Sequence, residues 1–393
     1  GICTLIRHHR HISRRPRGGR VQLTVDNLSA LRALRVFRRE GRMLPAERHD
    51  LQEPDPSPQQ RWTARVIPAR RLGLSSTPST DAPIEVAVPS AEKRLRGAIF
   101  SCTVRSTSIP RCSFVSLGDG LSIPCPELLF YELAGTMSQD SLALVGYELC
   151  GTYVRDPSDP RRGEVVYGAP PVTSVEQIRS YLAAFRDRPQ AMLARLALRR
   201  VADNAWSPME AIVALMIRLP VADSGYELGE VVLNVRHGAT PELVALGGRG
   251  SRVPDIEVVG THVGFNYDSH LHLDLESIAL AAATGSAEAQ IAAVRRKHHD
   301  DIKRNRELAA MGRVVLSVTS ADLFAPGGLD SVMLQAAMTI DELDGGQALA
   351  NAHAAITPAQ REHRQRLIWS LLPWDEGVRF ARELAAEQPW YFT

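Results

Sequence analysis

Asp255, Glu257, Asn266 and Asp268 fall at alternate positions along two short apolar-alternating segments, residues 253–259 and 263–267, which flank Gly260 and Thr261. Period-two alternation sends successive side chains to opposite sides of a strand. A two-residue turn at Gly260-Thr261 places Val258 opposite Val263, Ile256 opposite Phe265 and Asp255 opposite Asn266. The apolar pairs then share one side of a hairpin. Asp255, Glu257, Gly264, Asn266 and Asp268 share the other, followed by His270 and His272 if the strand continues. Acids gathered on one sheet face repel each other unless a cation or hydrogen-bond donors neutralise them. The pattern fits a divalent-metal site, and it equally fits the polar side of a half-exposed hairpin.

These residues need a scaffold, and the flanking periodicity predicts one. A helix is expected over residues 207–219, with Pro208 at its first turn, where a missing backbone donor is harmless, and Glu210 close behind. A strand follows over 231–236, then the hairpin, then a long helix over 287–311 ended by Gly312. Residues 313–319 read as a strand and 322–338 as a region containing a final helix. The order α-β-β-β-α-β-α favours a mixed sheet flanked by helices. Upstream, residues 1–60 read as a basic, partly disordered arm with one helix, 28–39, capped by Asn27 or Ser29. A linker rich in Pro, Gln and Asp closes that arm. Residues 61–155 suggest a small α+β module, 156–201 a linker followed by helices, 202–340 the sheet domain, and 341–393 a helical extension. The fold class expected is thus α/β and α+β in several domains.

Composition limits the partners. The chain has 393 residues and a net charge of +2, so it is no global polycation. Positive charge is nevertheless concentrated in the first twenty residues, with six arginines, three histidines and no acid, a segment that reads as a disordered leader or a nonspecific phosphate binder. Only Lys93, Lys297 and Lys303 are lysines, a skew expected of a GC-rich bacterial genome. Five cysteines without a Cys-x-x-Cys pair fit buried thiols in a reducing compartment better than a disulfide framework or a zinc site. With no apolar run of membrane-spanning length, a cytoplasmic location is expected. Along the 287–311 helix, Arg296, Lys303 and Arg304 belong to a basic stripe that could contact a phosphate backbone.

From about Ser207 to Leu323 the chain resembles the restriction-endonuclease-like PD-(D/E)xK superfamily, and within it the small nucleases grouped with very-short-patch-repair endonucleases. The residues that carry this are Glu210 in Ser-Pro-Met-Glu, Asp255 in Val-Pro-Asp, and Asn266-Tyr267-Asp268-Ser269 with His270 or His272. Asp300 or Asp301 with Arg304 and Asn305 follows on the helix, then Gly312 leading into an apolar strand. The resemblance implies a restriction-endonuclease-like core, DNA as partner, and phosphodiester hydrolysis with magnesium or manganese. Its catalytic set would be Asp255, Asp268, Glu210, Asn266 and His272, with Asp255, Asp268 and Glu257 as metal ligands. Asn266 stands where the family pattern has an acid, and Asp268 where a basic residue is usual. The middle region, through Pro126-Glu127-Leu128 and Gly146-Tyr147-Glu148-Leu149, is similar to AbiEi-type antitoxin regulators, which carry a DNA-binding winged helix ahead of such a module. Three readings therefore stand: a metal-dependent endonuclease with an incomplete acidic motif; a noncatalytic DNA-binding regulator or antitoxin-like protein of a phage-defence or toxin-antitoxin system; or a scaffold with no nucleic-acid affinity.

Overall fold

The computed structural model describes residues 22–54, 67–105, 109–185, 188–268 and 287–372, with backbone only over 287–298. It is a mixed α/β structure with several separate sheets. The described chain begins with β1 (Leu23–Thr24) and α1 (Asn27–Arg39), followed by β2 (Ile84–Val88), β3 (Phe100–Val104), β4 (Phe114–Gly118) and β5 (Leu121–Pro124). Strand β1 pairs in parallel with β5, which pairs antiparallel with β4, while β2 and β3 form a parallel pair.

Residues 22–54 were expected to belong to an arm ahead of the module. The helix expected there is present and packed, and the segment also supplies an edge strand. Asp26, rather than Asn27 or Ser29, caps α1, its carboxylate accepting from the Asn27 N–H at 3.0 Å. Ser29 is spent elsewhere: its amide donates to Glu85, and its hydroxyl accepts from the Glu85 amide. Arg35 and Arg38 lie on the buried face of α1. Among the described residues, α1 is the one helix of four residues or more ahead of β2, so no winged helix is seen there.

Helices α2 (Pro126–Leu133) and α3 (Gln139–Leu149) follow, then the short pair β6 (Tyr153–Val154) and β7 (Val166–Tyr167), α4 (Val175–Leu182) and α5 (Pro189–Leu198). The β6–β7 pairing crosses the stretch expected to be a linker. Glu148 is the hub of this region. Its carboxylate receives both arms of the Arg35 fork, at 2.9 and 2.6 Å, plus the Arg155 amide. Arg38 caps the carbonyls of Glu148, Gly151 and Pro170. The Gly-Tyr-Glu-Leu motif is therefore an internal brace tying α3 to α1.

The remaining elements are α6 (Pro208–Arg218), β8 (Val231–Leu233), β9 (His237–Gly238), α7 (Pro241–Ala245), β10 (Ser251–Arg252), β11 (Ile256–Val258), β12 (Val263–Asp268), α8 (Ala287–Ala310), β13 (Val314–Thr319), α9 (Ser320–Phe324), α10 (Gly328–Leu343), α11 (Ala348–Ala355) and α12 (Pro358–Leu371). One four-stranded sheet runs β13-β12-β11-β8. Strands β8, β11 and β12 are antiparallel, and β13 is parallel to β12, reached by the α8 crossover that a parallel pair requires. Observed partners Ile256–Phe265 and Glu257–Gly264 match the register of a two-residue turn. At that turn Gly260 adopts φ +79°, which favours glycine. The apolar sheet face, Ile256, Val258, Val263 and Phe265, is fully buried and packs toward α6 and α10. Burial of each such side chain stabilises by roughly 1.5–3 kcal/mol.

Between β8 and β11 lies an insertion not expected from the sequence, β9-α7-β10. Arg252 pairs with Glu307, and Arg249 reaches Asp300 at 3.1 Å, clamping the insertion to α8. The helix expected within 322–338 is divided into α9 and α10 because Pro326 and Gly327 intervene, Gly327 being left-handed. Helix α12 docks on α10 through Arg364, which donates to Asp330 at 2.7 Å and stacks over Tyr226 at 4.1 Å. No helix among the described residues is long and apolar enough to cross a membrane.

Candidate functional site

Glu210 owes its position to the start of α6. Ser207 accepts from the Glu210 amide at 3.1 Å, and Pro208 opens the helix. The carboxylate folds back so that Oε2 accepts from the Trp206 amide at 2.9 Å and from Asn234 Nδ2 at 3.0 Å. Asn234 follows β8 at φ +54°, a conformation asparagine tolerates better than most residues. Its amide also donates to the Asn204 carbonyl, while the Asn204 side chain donates to the Leu233 carbonyl. The loop ahead of α6 is held in turn by the middle module, since the Thr152 amide donates to Ala205 and the Asn204 amide to Cys150. Asn204, Trp206 and Asn234 thus position the acid. Sequence reasoning missed all three, although Asn234, a polar residue closing the apolar β8 run, was a readable signal.

Asp255 sits just ahead of β11, where the hairpin ladder gives way to side-chain bonds. Its amide donates to Asn266 Oδ1 at 3.1 Å, and its Oδ2 accepts from the Tyr267 amide at 2.7 Å. The Asn234 amide donates to the Asp255 carbonyl at 3.0 Å, locking β8 to the same point. Asn266 is almost fully buried, and its Nδ2 points to Asn305 Oδ1 at 3.4 Å on α8. This asparagine fastens the mouth of the hairpin, which gives it a role that no metal needs to explain.

The electrostatics bring the acids together. Burial, and then the neighbouring Asp255, push Glu210 from the ordinary 4.5 up to about 7, against the Asn234 and Trp206 donors. Burial pushes Asp255 from 3.8 up to about 6; the Tyr267 amide and Arg304 oppose this, and Asp268 and Asp301 add to it. Two carboxylates are therefore held where their charged forms are poorly solvated, with Asp255 acting against the charge of Glu210. That is the electrostatic state a divalent cation relieves.

Each remaining residue singled out above has a definite place. Asp268 ends β12 close enough to act on Asp255. Glu257 shares their sheet face and lies against Gly264, whose absent Cβ would stand 3.4 Å from Glu257 Cγ and 2.8 Å from the Ile256 carbonyl. Its carboxylate, however, is paired with His237 and lies 3.9 Å from Arg313. Arg304 acts on Asp255 and contacts Asp301 at 3.3 Å. Lys303 instead donates to the Gly247 carbonyl and approaches Glu307, so Lys303 and Arg304 serve different contacts. Arg296 lies on α8, but its side chain falls outside the described residues, as do His270 and His272 altogether.

Among the described residues, no group of three or more His, Cys, Asp or Glu side chains is arranged to hold an ion. The arrangement is a carboxylate pair. Magnesium keeps several waters and is commonly held by one or two carboxylates plus substrate phosphate, so hard oxygen donors in this number suit magnesium or manganese. Comparison with protein-family models, with curated proteins and with solved structures finds no match to this chain.

Proposed function

We propose that residues 202–340 form a restriction-endonuclease-like domain that acts on DNA through a divalent cation held by Asp255 and Glu210, with Asp268 beside them. The single observation that carries this reading is that Asn234 joins two acids of raised pKa, its side chain donating to buried Glu210 and its backbone amide to the carbonyl of half-buried Asp255 at the mouth of the β11–β12 hairpin. The sheet order and the packing of α6 against β8 and β12 support it, because the resembled family likewise carries a helical acid and a strand acid on such a sheet. When bound, magnesium or manganese would polarise the scissile phosphodiester and lower the pKa of the attacking water. The chain's own groups set the rest. Asn234 and the Trp206 amide orient Glu210, the Tyr267 amide orients Asp255, and Arg304 adds positive charge beside Asp255.

Supercoiled plasmid incubated with magnesium or manganese tests the reading. The wild-type chain is expected to nick it, and Asp255→Ala to lose at least about a hundredfold of the rate, the scale of losing a principal electrostatic stabiliser. Equal nicking by both, or nicking by neither, overturns it.

A second reading, a noncatalytic DNA-binding regulator, is favoured by Asn266. Its amide contributes no charge, and its oxygen is already committed to the Asp255 amide. Sequence-selective gel shifts that persist in chelator, without cleavage, would establish that reading instead.

A further inference from the structure

A cavity of about 310 Å³ opens between α1, α3 and the loop at residues 157–161, and it shares no lining residue with the acid pair. Arg32, Arg35, Arg155 and Arg161 line it, with Glu148 as the acid among them. That acid is already spent on Arg35 and on the Arg155 amide. Arg155 is nine-tenths buried, yet among the described residues its Nε and Nη2 have no hydrogen-bond partner, and neither does Nε of Arg32. A buried charged donor without a partner is costly, and native structures keep such groups where a ligand or ion completes them. Burial, and then Arg155, lower Arg161 to about 10, against the pull of Asp159, so Arg155 and Arg161 repel one another. Leu28, Leu31, Leu144 and Val145 also line it and offer nothing to a polar body.

We propose that this cavity is an anion site that takes a phosphate monoester carrying an apolar or aromatic body of about mononucleotide size. Arg155 Nε and Nη2 are the two donors of one fork, and a phosphate monoester, with a charge of about −1.5 to −2 at neutral pH, brings two oxygens to meet them. Guanidinium forks match phosphate oxygens geometrically, which a scattered surface charge does not. The volume lies at the small end of the range for ligand pockets, roughly 300–1,000 Å³, enough for one nucleotide but not for a polymer.

Calorimetric titration of the full chain with adenosine monophosphate, inorganic phosphate and adenosine tests this. The monophosphate is expected to bind saturably, inorganic phosphate more weakly, and adenosine not at all. Arg155→Met and Arg161→Gln should each weaken the monophosphate by about tenfold or more, the scale of a charged hydrogen bond. Arg162→Gln, a neighbouring charge outside the cavity lining, should stay within about twofold. Should Arg155→Met fail to fold, Arg161→Gln alone decides. Adenosine binding as well as its monophosphate, or wild-type affinity in Arg161→Gln, overturns the proposal.

Discussion

Glu210 is raised by burial and then by the charge of Asp255, and Asp255 by burial with Asp268 and Asp301 adding to it, and this sets testable behaviour at single positions. Both carboxyls are raised in the folded chain, to about 7 and about 6, so between pH 4 and 7 the folded state binds more protons than the unfolded one. Stability without metal therefore falls as pH rises through that window. Glu210→Gln removes the charge while an amide oxygen can still accept from Trp206 and Asn234. It should raise metal-free stability at pH 8 by about 1–2 kcal/mol, read by denaturant titration; a loss of stability would contradict the assigned repulsion. Asn266→Asp works in the opposite direction. It adds a further acid, so metal-free stability should drop while manganese affinity rises. Calorimetry that finds no gain in affinity would show that position 266 serves only the hairpin.

At the scale of elements, Ser207 links α6 to its acid. Ser207→Ala should cost about 1 kcal/mol, measurable as a lowered denaturation midpoint, because it removes the acceptor for the Glu210 amide. The regular elements were legible where pattern and punctuation agreed. Pro208 marked the start of α6, and the Gly260-Thr261 break fixed the Ile256–Phe265 and Glu257–Gly264 register. What escaped was set by distant contacts. The β9-α7-β10 insertion has strands of two residues, too short to show alternation, and is held by Arg252 and Arg249 reaching α8. Likewise the α1 cap passed to Asp26 because Glu85, far along the chain, takes Ser29. On the acidic face, alternation correctly grouped Asp255, Glu257, Asn266 and Asp268. It could not foresee that His237 would engage Glu257, or that Asn266 would accept from the Asp255 backbone.

Across the whole molecule, the middle module supports the sheet domain through buried polar anchors. The Ala205 and Cys150 carbonyls join the loop that carries Glu210 to the end of α3 and the start of β6. Glu148 in turn fastens α3 to α1. Glu148→Ala should cost about 3–5 kcal/mol by leaving Arg35 buried and unpaired, and hydrogen exchange should report faster opening of α1; unchanged exchange there would contradict the brace. The acid pair is thus the end of a chain of supports that begins at α1. Its central claim, that Glu210 and Asp255 together hold a divalent cation, is tested most directly by titrating the full chain with manganese at pH 8 and pH 5.5. One ion should bind at pH 8, more weakly at pH 5.5 where both carboxyls take up protons, and not measurably in Asp255→Asn. Equal binding by wild type and Asp255→Asn, or affinity that does not change with pH, would contradict it.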